Sequence, residues 1–362
     1  MSKQEKKIPI QNIFYMLCYS WNILPEKSET TTVGSEDFQN IYDFLGHFLT
    51  VKVNKLIKRG FSKEYSEFSE PRHSIRGRID VNSSIRQQTM THRKLFCIFD
   101  EFTSDIYFHQ IIKYTLLRLL RYQKLTESIK DDIRKLLTYF SGIEELAPTK
   151  QILSRLRYDR NNRHYLLVMN ICEFIYHSLI SNENGDKEFI DVERDNKKMA
   201  RLFEDFLRNF YVYHLPESNY HVSSPRISWK IEMGYDKSPI LPEMKTDVVI
   251  RKLPSSWLVI DAKYYSKTLA ETYRLLDENG VKKIHAGNLY QMYAYLCNWD
   301  SKKHPGNVKG LLVYPRVFED VDETICLEGG KTIRVCTVDL NTEWKDIEST
   351  LIRYVDDYLS MK

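Results

Sequence analysis

The sequence predicts a two-domain protein of mixed α+β and α/β class, with a mainly helical N-terminal domain and a C-terminal mixed sheet flanked by helices. Three observations predict this class. The length of 362 residues exceeds the size at which one hydrophobic core stops growing. The first half carries apolar residues at helical spacing. The second half alternates helical segments with short apolar runs, which is typical of helices packed on a sheet.

The N-terminal domain is predicted to span residues 1–185. Apolar residues at three- and four-residue spacing predict helices in "NIFYMLCYSWNIL" and "FQNIYDFLGHFLTVKVNKLIKRG", with Gly60 ending the second. The segment "FSKEYSEFSEPRHSIRGRIDV" alternates around Pro71 and Gly77, which predicts a small β element with a turn. More helices follow, and the polar stretch "SNENGDKEF" predicts a boundary near residue 185.

The C-terminal domain is predicted to span residues 186–362. Its order is a helix in "KKMARLFEDFLRNFYVYHL", strands at 247–253 and 257–265, a helix in "GNLYQMYAYLCNW" and a strand in "GLLVYP". A hairpin in "ETICLEGGKTIRVCTVDL" and a closing helix complete the chain.

"GGKT" matches the end of a phosphate-binding loop, but Ile325 stands where that loop needs its leading glycine. We therefore expect a hairpin turn there.

Composition excludes several classes of protein. Hydrophobic residues make up 42% and charged residues 28% of the chain, which is typical of a folded protein rather than a disordered one. The net charge is only +4, so affinity for a polyanion must come from local patches.

The six cysteines form no CxxC pair, which argues against a zinc site or a dense disulfide framework. No apolar run reaches about 18 residues, so we expect a cytoplasmic protein without a membrane span.

Two carboxylates and a lysine interrupt the apolar strands of "TDVVIRKLPSSWLVIDAKYY". If the strands pair through a three-residue loop at 254–256, Asp247 lies directly opposite Lys263. Asp261 shares the face of Lys263, because strand side chains alternate with a period of two. The three polar groups are therefore predicted to converge.

These three residues suit metal-assisted phosphodiester chemistry. Carboxylate oxygens hold Mg²⁺, or Mn²⁺, in an open site, and a lysine can orient the attacking water or neutralise charge on the phosphate. A plain alternative also fits the sequence: a salt bridge between Asp247 and Lys263 across an edge hairpin, with Asp261 in solvent.

A neighbouring helix and a second carboxylate extend the candidate site. In "NLYQMYAYL", Asn288, Gln291 and Tyr295 fall on one helical stripe, which can support a phosphate or water or can simply face solvent. Glu204 flanks the apolar stripe of its own helix. It is either a third metal carboxylate or an ordinary surface residue.

The N-terminal half carries basic segments, "VKVNKLIKRG" and "RHSIRGRID". Arg76 and Arg78, on either side of Gly77, are candidates for contact with DNA phosphates or with an acidic protein partner. A solvated basic surface is an equally good interpretation of these charges.

The ordered motifs resemble a known family. Asp247, then Asp261-Ala262-Lys263, then Gln291 to Tyr295 resemble the core of the PD-(D/E)xK nucleases. More closely, "IPIQNIFYMLCYSW", "IRGRID", "IIKYTLLRL", "TDVVI", "VIDAKYY", "NLYQMYAYL" and "GLLVYP" are similar, in this order, to the McrC family, the nuclease subunits of McrBC modified-cytosine restriction systems. The similarity covers nearly the entire chain.

The resemblance implies a fold, an activity and a partner. It implies a restriction-endonuclease-like C-terminal sheet that cuts double-stranded DNA containing modified cytosine. Asp247 and Asp261 would bind Mg²⁺, Lys263 would act on water or phosphate, and Gln291 and Tyr295 would support it. It also implies an N-terminal domain that docks on a McrB-like AAA+ GTPase ring, so that GTP acts only through the partner.

Two other functions remain open from the sequence. One is a free-standing nuclease of the same fold that needs no GTPase. The other is an adaptor that stimulates an AAA+ ring and retains the nuclease fold only as a scaffold.

Overall fold

The computed structural model describes residues 8–23, 38, 40–181, 187–189, 195–236, 238–264, 284–299, 306–316 and 320–360. The chain divides into two compact units. We call residues 38–190 the helical unit and residues 8–23 together with 195–360 the sheet unit. The predicted domain boundary, at residues 185 and 186, lies outside the described residues.

Helices dominate the helical unit, as the apolar spacing predicts. The helix at Ile41–Arg59 shows how the sequence sets the ends of a helix. The Asn40 side chain accepts hydrogen bonds from the amides of Tyr42 and Asp43, and Gly60 ends the helix with a φ of +85°. The described helices are α2 (Ile41–Arg59), α3 (Val81–Arg86), α4 (Tyr107–Leu120), α5 (Glu127–Leu137), α6 (Lys150–Leu153) and α7 (Leu166–His177).

The small β element of the helical unit is a three-stranded antiparallel sheet. Strand β3 (Leu95–Thr103) lies between β1 (Glu64–Arg72) and β2 (Arg78–Ile79). The alternation predicts β1 and β2, whereas β3 was not predicted. Gly77 has a φ of +66°, and a Cβ there would lie 2.3 Å from the carbonyl oxygen of Ile98, so this turn requires glycine. A short pair, β4 (Leu179–Ser181) with β5 (Lys187–Phe189), follows.

The sheet unit contains a six-stranded mixed sheet, which confirms the mixed sheet predicted for the C-terminal part. The strand order is β12-β13-β11-β10-β9-β6, and β10, β11 and β13 are parallel neighbours. The strands are β6 (Tyr220–Ser223), β9 (Val248–Lys252), β10 (Ser256–Ala262), β11 (Asn307–Pro315), β12 (Asp322–Leu327) and β13 (Lys331–Val338). A separate pair joins β7 (Arg226–Ile227) to β8 (Met244–Lys245). The "GGKT" glycines lie at the turn between β12 and β13, as predicted.

Helices cover both faces of this sheet. Helix α9 (Ala286–Asn298) packs on the face formed by Val249, Val259 and Leu312. It approaches β11 closely because residue 310 is glycine: a Cβ there would lie 2.7 Å from the sulfur of Met292. Helices α8 (Asn196–His214) and α10 (Trp344–Ser360) contact the sheet as well. Along each strand, the side chains that face α9 alternate with side chains that point to the other face of the sheet.

The register of the central hairpin differs from the predicted one. Strand β9 pairs with β10 so that Val248 lies opposite Ile260 and Lys252 opposite Ser256. The loop therefore covers residues 253–255 rather than 254–256, and Asp247 comes level with Asp261 rather than Lys263. Since the shift amounts to two residues, every side chain of the paired strands keeps its predicted face. Tyr265, the predicted end of the second strand, lies outside the described residues.

The first helix is placed differently from the predicted domains. Helix α1 (Ile10–Ser20) belongs to the sheet unit, although it precedes the helical unit in sequence. Tyr19 packs on Phe206 and Phe210 of α8, with ring centroids 5.7 and 5.5 Å apart, and the Asn12 amide donates to the carbonyls of Leu340 and Thr342. Apolar burial against α8 therefore decides where α1 lies, and sequence order does not.

None of the helices in the described parts of the chain combines the length and apolar character that a membrane span requires.

Candidate active site

The two carboxylates of the central hairpin lie at the same end of β9 and β10. Asp247 directly precedes β9, and its Oδ2 accepts a hydrogen bond of 2.9 Å from the backbone amide of Ala262. Asp261 lies near the end of β10 and is only 1% exposed. The register and the hydrogen bond together place both carboxylates at the same end of the hairpin.

Lys263, the first residue after β10, joins this pair, whereas the prediction placed it inside the strand. Its Nζ lies 2.7 Å from Oδ2 of Asp261, and it donates a 3.0 Å hydrogen bond to Oε1 of Gln291 on α9. Its backbone amide donates to the carbonyl of Val313, so the lysine is fixed by the parallel ladder to β11. The plain alternative, a bridge from Lys263 to Asp247 with a solvated Asp261, does not match this geometry, because Asp261 is the buried partner of the lysine.

The polar stripe of α9 faces inward. Gln291 Nε2 donates to the hydroxyl of Tyr295 at 2.6 Å, and this hydroxyl donates to the backbone carbonyl of Lys245 at 2.8 Å. A continuous chain of hydrogen bonds therefore links Lys263 to the strand that precedes Asp247. Asn288, on the same stripe, makes a separate bond from its amide to the hydroxyl of Tyr314. The predicted stripe exists, and it supports the lysine rather than facing solvent.

Burial raises the pKa values of both carboxylates. Burial raises the pKa of Asp261 to about 6, although the Lys263 ammonium opposes this shift and the charge of Asp247 adds to it. Burial also raises the pKa of Asp247, against the stabilising amide of Ala262. Two crowded carboxylates that resist ionisation would be stabilised by a bound cation.

Glu204 lies on α8 and is half-buried. Burial raises its pKa to about 7, and the charge of Asp247 is the next largest cause, which indicates that the two carboxylates are near one another. Across the described ranges, no three or more His, Cys, Asp or Glu side chains are arranged to hold a metal ion. Asp247 and Asp261 offer carboxylate oxygens at one end of the hairpin, and their role as metal ligands stays a prediction. A ligand role for Glu204 stays a prediction.

Arg76 and Arg78 lie at the turn of the β element in the helical unit, and both are exposed. The guanidinium of Arg76 lies 4.4 Å from the ring centroid of Phe99 and 3.6 Å from Glu101. Both contacts form on β3, the strand that was not predicted. A partner-facing role for these arginines stays a prediction.

Two backbone groups that hold the site were missed by sequence reasoning: the amide of Ala262 and the carbonyl of Lys245. Any residue type supplies such groups, so no side-chain pattern marks them. A correct hairpin register would have indicated the first, because it brings Asp247 level with residues 261 and 262.

Comparison with known families identifies the chain's relatives. A family model described as McrBC 5-methylcytosine restriction system component matches residues 2–315. The chain belongs to this family. A curated McrBC relative, the type IV methyl-directed restriction enzyme EcoKMcrBC of Escherichia coli strain K12, is 34% identical over 359 residues, which cover 98% of this chain and 99% of the relative.

A solved structure of the McrBC type has a similar fold. It is described as a refined half-complex from a tetradecameric assembly of Thermococcus gammatolerans McrB AAA+ hexamers with bound McrC. The similarity has a TM-score of 0.59 at 17% identity and covers 97% of this chain and 76% of the other. At this identity the comparison indicates a shared fold and nothing further.

Proposed function

We propose that this chain is the Mg²⁺-dependent endonuclease subunit of a McrBC-type restriction complex that cleaves DNA containing modified cytosine. One observation carries the proposal: Asp247 and Asp261 lie at the same end of a hairpin, with the Lys263 ammonium 2.7 Å from Asp261. The C-terminal part would then have a PD-(D/E)xK nuclease fold, for which the mixed sheet and its flanking helices give support.

Each residue has a role that its contacts support. Lys263 would orient the attacking water or neutralise charge on the phosphate, because its ammonium is held at a fixed position by Asp261 and Gln291. Gln291 and Tyr295 would hold the lysine, since their hydrogen bonds lead back to the carbonyl of Lys245. Fixed supporting hydrogen bonds of this kind keep a catalytic side chain in a productive geometry.

The carboxylate pair fits Mg²⁺ better than other common metals. Its donors are oxygen atoms, and Mg²⁺ is usually held by one or two carboxylates together with water and substrate phosphates. Asp247 and Asp261 would hold the ion, Glu204 would supply a third carboxylate, and Mn²⁺ would substitute for Mg²⁺. When bound, the ion would stabilise negative charge on the phosphate oxygens.

The partner would be a McrB-like AAA+ GTPase ring. The curated relative is named as a methyl-directed restriction enzyme, and the similar structure contains McrB AAA+ hexamers with bound McrC. GTP would act only through that ring, since the one sequence that imitates a phosphate-binding loop forms a hairpin turn here. The exposed Arg76 and Arg78 are candidates for the contact that stimulates the ring.

The test is a reconstituted cleavage assay. The full chain, alone and with its McrB-type ring protein, is incubated with plasmid that does or does not contain 5-methylcytosine, in the presence of Mg²⁺ and GTP. Cleavage should require the modified plasmid, Mg²⁺, GTP and both proteins. Asp261→Ala should abolish it. Asp322→Ala is the matched control, because Asp322 is an ion-paired aspartate of the same sheet, bonded to Arg334, outside the candidate site.

Other outcomes would favour the alternatives. Cleavage by the chain without the ring and without GTP would indicate a free-standing nuclease. If wild type and Asp261→Ala raise the GTPase rate equally and neither cuts DNA, the chain is a non-catalytic adaptor of the ring.

A further inference from the structure

Asp247 lies outside the regular strands that surround it. Strand β8 ends at Lys245 and β9 begins at Val248, so Thr246 and Asp247 form a bend between two ladders. Strand pairing therefore does not fix the direction of the Asp247 side chain. Some other contact must hold this bend if the carboxylate is to meet Asp261.

Thr246 supplies that contact. It is 0% exposed, and its hydroxyl donates a 2.7 Å hydrogen bond to the carbonyl of Pro225, which also accepts the Thr246 amide at 3.4 Å. Its own carbonyl accepts a 2.5 Å bond from the hydroxyl of Ser224. All the polar groups of Thr246 are thus bonded to one short segment, Ser224-Pro225, which lies between β6 and β7.

We propose that Thr246 and Ser224 are positioning residues that direct the carboxylate of Asp247 into the metal site. The inference rests on the proposed function, since it assumes that Asp247 holds the metal. Residues 245, 246 and 247 are each held by a different element: Tyr295 of α9 bonds to residue 245, the Ser224-Pro225 segment to residue 246, and the Ala262 amide of β10 to residue 247. The contacts of Thr246 set the backbone torsion angles on which the bond between Asp247 and the Ala262 amide depends.

The size of the expected effect follows from the precision that metal sites require. A ligand must be held within about 0.5 Å of its productive position. Loss of a group that orients a metal ligand typically weakens metal binding by about ten- to a hundredfold. A role in folding alone would instead lower stability and leave the metal affinity of the folded protein unchanged.

The test compares Thr246→Val with Thr246→Ser in the full chain. Valine keeps the branched shape but removes the hydroxyl, whereas serine keeps the hydroxyl. We expect Thr246→Val to weaken Mn²⁺ binding by about tenfold or more, and to speed hydrogen exchange of the Ala262 amide in the metal-free protein. Thr246→Ser should stay within about twofold of wild type in both measurements, because the hydroxyl bond remains.

The matched control is Thr115→Val. Thr115 is a buried threonine of the helical unit whose hydroxyl also donates to a backbone carbonyl, that of Ile111. Its substitution should leave Mn²⁺ affinity and Ala262 exchange unchanged. In the reconstituted cleavage assay, Thr246→Val should raise the Mn²⁺ concentration needed for half-maximal rate more than it lowers the rate at saturating Mn²⁺.

Ser224→Ala gives a second, independent measurement. Since Ser224 and Thr246 hold the same bend, the effects of Ser224→Ala and Thr246→Val on Mn²⁺ affinity should not add in the double variant. Unchanged Mn²⁺ affinity and Ala262 exchange in both single variants, with folding intact, would overturn the inference. Equal losses in Thr246→Val and Thr246→Ser would overturn it too, because the hydroxyl would then be irrelevant.

Asp247→Asn separates this inference from the proposed function. If Asp247→Asn lowers Mn²⁺ affinity and cleavage while Thr246→Val lowers neither, only the positioning role fails. If Asp247→Asn itself leaves Mn²⁺ affinity and cleavage at wild-type values, the proposed metal site is wrong, and the positioning role falls with it.

Discussion

Two buried aspartates, one in each unit, have opposite surroundings. Asp43 in the helical unit and Asp261 in the sheet unit are both 1% exposed. The Asp43 carboxylate accepts a 2.8 Å bond from the amide of Thr126, which directly precedes α5, and a 3.0 Å bond from the Asn40 side chain. Asp261 instead lies against the charged Lys263, at the same end of the hairpin as a second carboxylate, Asp247.

The difference separates structural from functional use of a buried charge. Neutral donors on both Asp43 oxygens tie the first turn of α2 to the start of α5, and such bonds stabilise a fold. At Asp261, burial and the neighbouring charge of Asp247 raise the pKa to about 6, so its ionised form is a cost to the metal-free fold. Strongly shifted pKa values of this kind cluster at functional sites.

The largest expected contrast is in cleavage. Asp261→Asn should reduce single-turnover cleavage of modified plasmid by the reconstituted complex by roughly 10²- to 10³-fold, because charge stabilisation at the phosphate is lost. Asp43→Asn should leave the rate per folded molecule within about twofold, since it touches no group of the site. Near-normal cutting by Asp261→Asn would remove the distinction between the two aspartates.

The second contrast is in stability. Asp43→Asn offers one acceptor oxygen in place of two, so a buried donor loses its partner, and we expect the free energy of unfolding to fall by about 1–3 kcal/mol. Chemical denaturation followed by circular dichroism would measure this loss. A change smaller than the experimental error would mean that Asp43 is not a structural link between α2 and α5.

The third prediction concerns pH. For Asp261 the folded pKa is raised from the ordinary 3.8 to about 6, so between these values the folded protein binds more protons than the unfolded chain. The contribution of Asp261 to the stability of the metal-free protein should therefore fall as pH rises from about 4 through about 6. Asp261→Asn, which carries no charge, should flatten this slope and stabilise the metal-free protein at pH 7.5 by about 1–3 kcal/mol.

Denaturation curves at pH 4.5, 6 and 7.5 without divalent metal would measure the slope for both proteins. An Asp261→Asn slope identical to that of wild type would contradict the electrostatic account. Addition of Mg²⁺ at neutral pH should stabilise wild type more than Asp261→Asn, because a ligand stabilises the state that binds it.

The smallest expected stability effect is at Arg76. Its bridge to Glu101 is exposed on both sides and its guanidinium contacts the Phe99 ring, so Arg76→Ala should lower the free energy of unfolding by no more than about 1 kcal/mol. If Arg76 contacts the ring, the same variant should reduce stimulation of the GTPase rate, whereas Glu101→Gln, which breaks the same bridge, should not. Equal stimulation by wild type and Arg76→Ala would remove Arg76 from the proposed contact.

Part of the candidate site could be predicted because side-chain alternation is local. Asp261 and Lys263 are two residues apart, and an error of two residues in the register leaves Asp247 at the same end of the hairpin as this pair. Helical spacing likewise placed Gln291 and Tyr295 together. The direct partner of Lys263 was not predictable in this way, because it depends on the exact pairing.

The sequence by itself determined the mixed class of the chain, the helix ends at Asn40 and Gly60, and the polar face of the central hairpin, because propensity, capping and alternation act between near neighbours. Tertiary structure decided the rest. Packing on α8 placed α1 in the sheet unit, and the backbone groups of Lys245 and Ala262 became part of the site. The bend at Thr246 depends on a segment more than twenty residues earlier in the chain. Such contacts join residues that are distant in sequence through groups that every residue carries, so no local pattern encodes them.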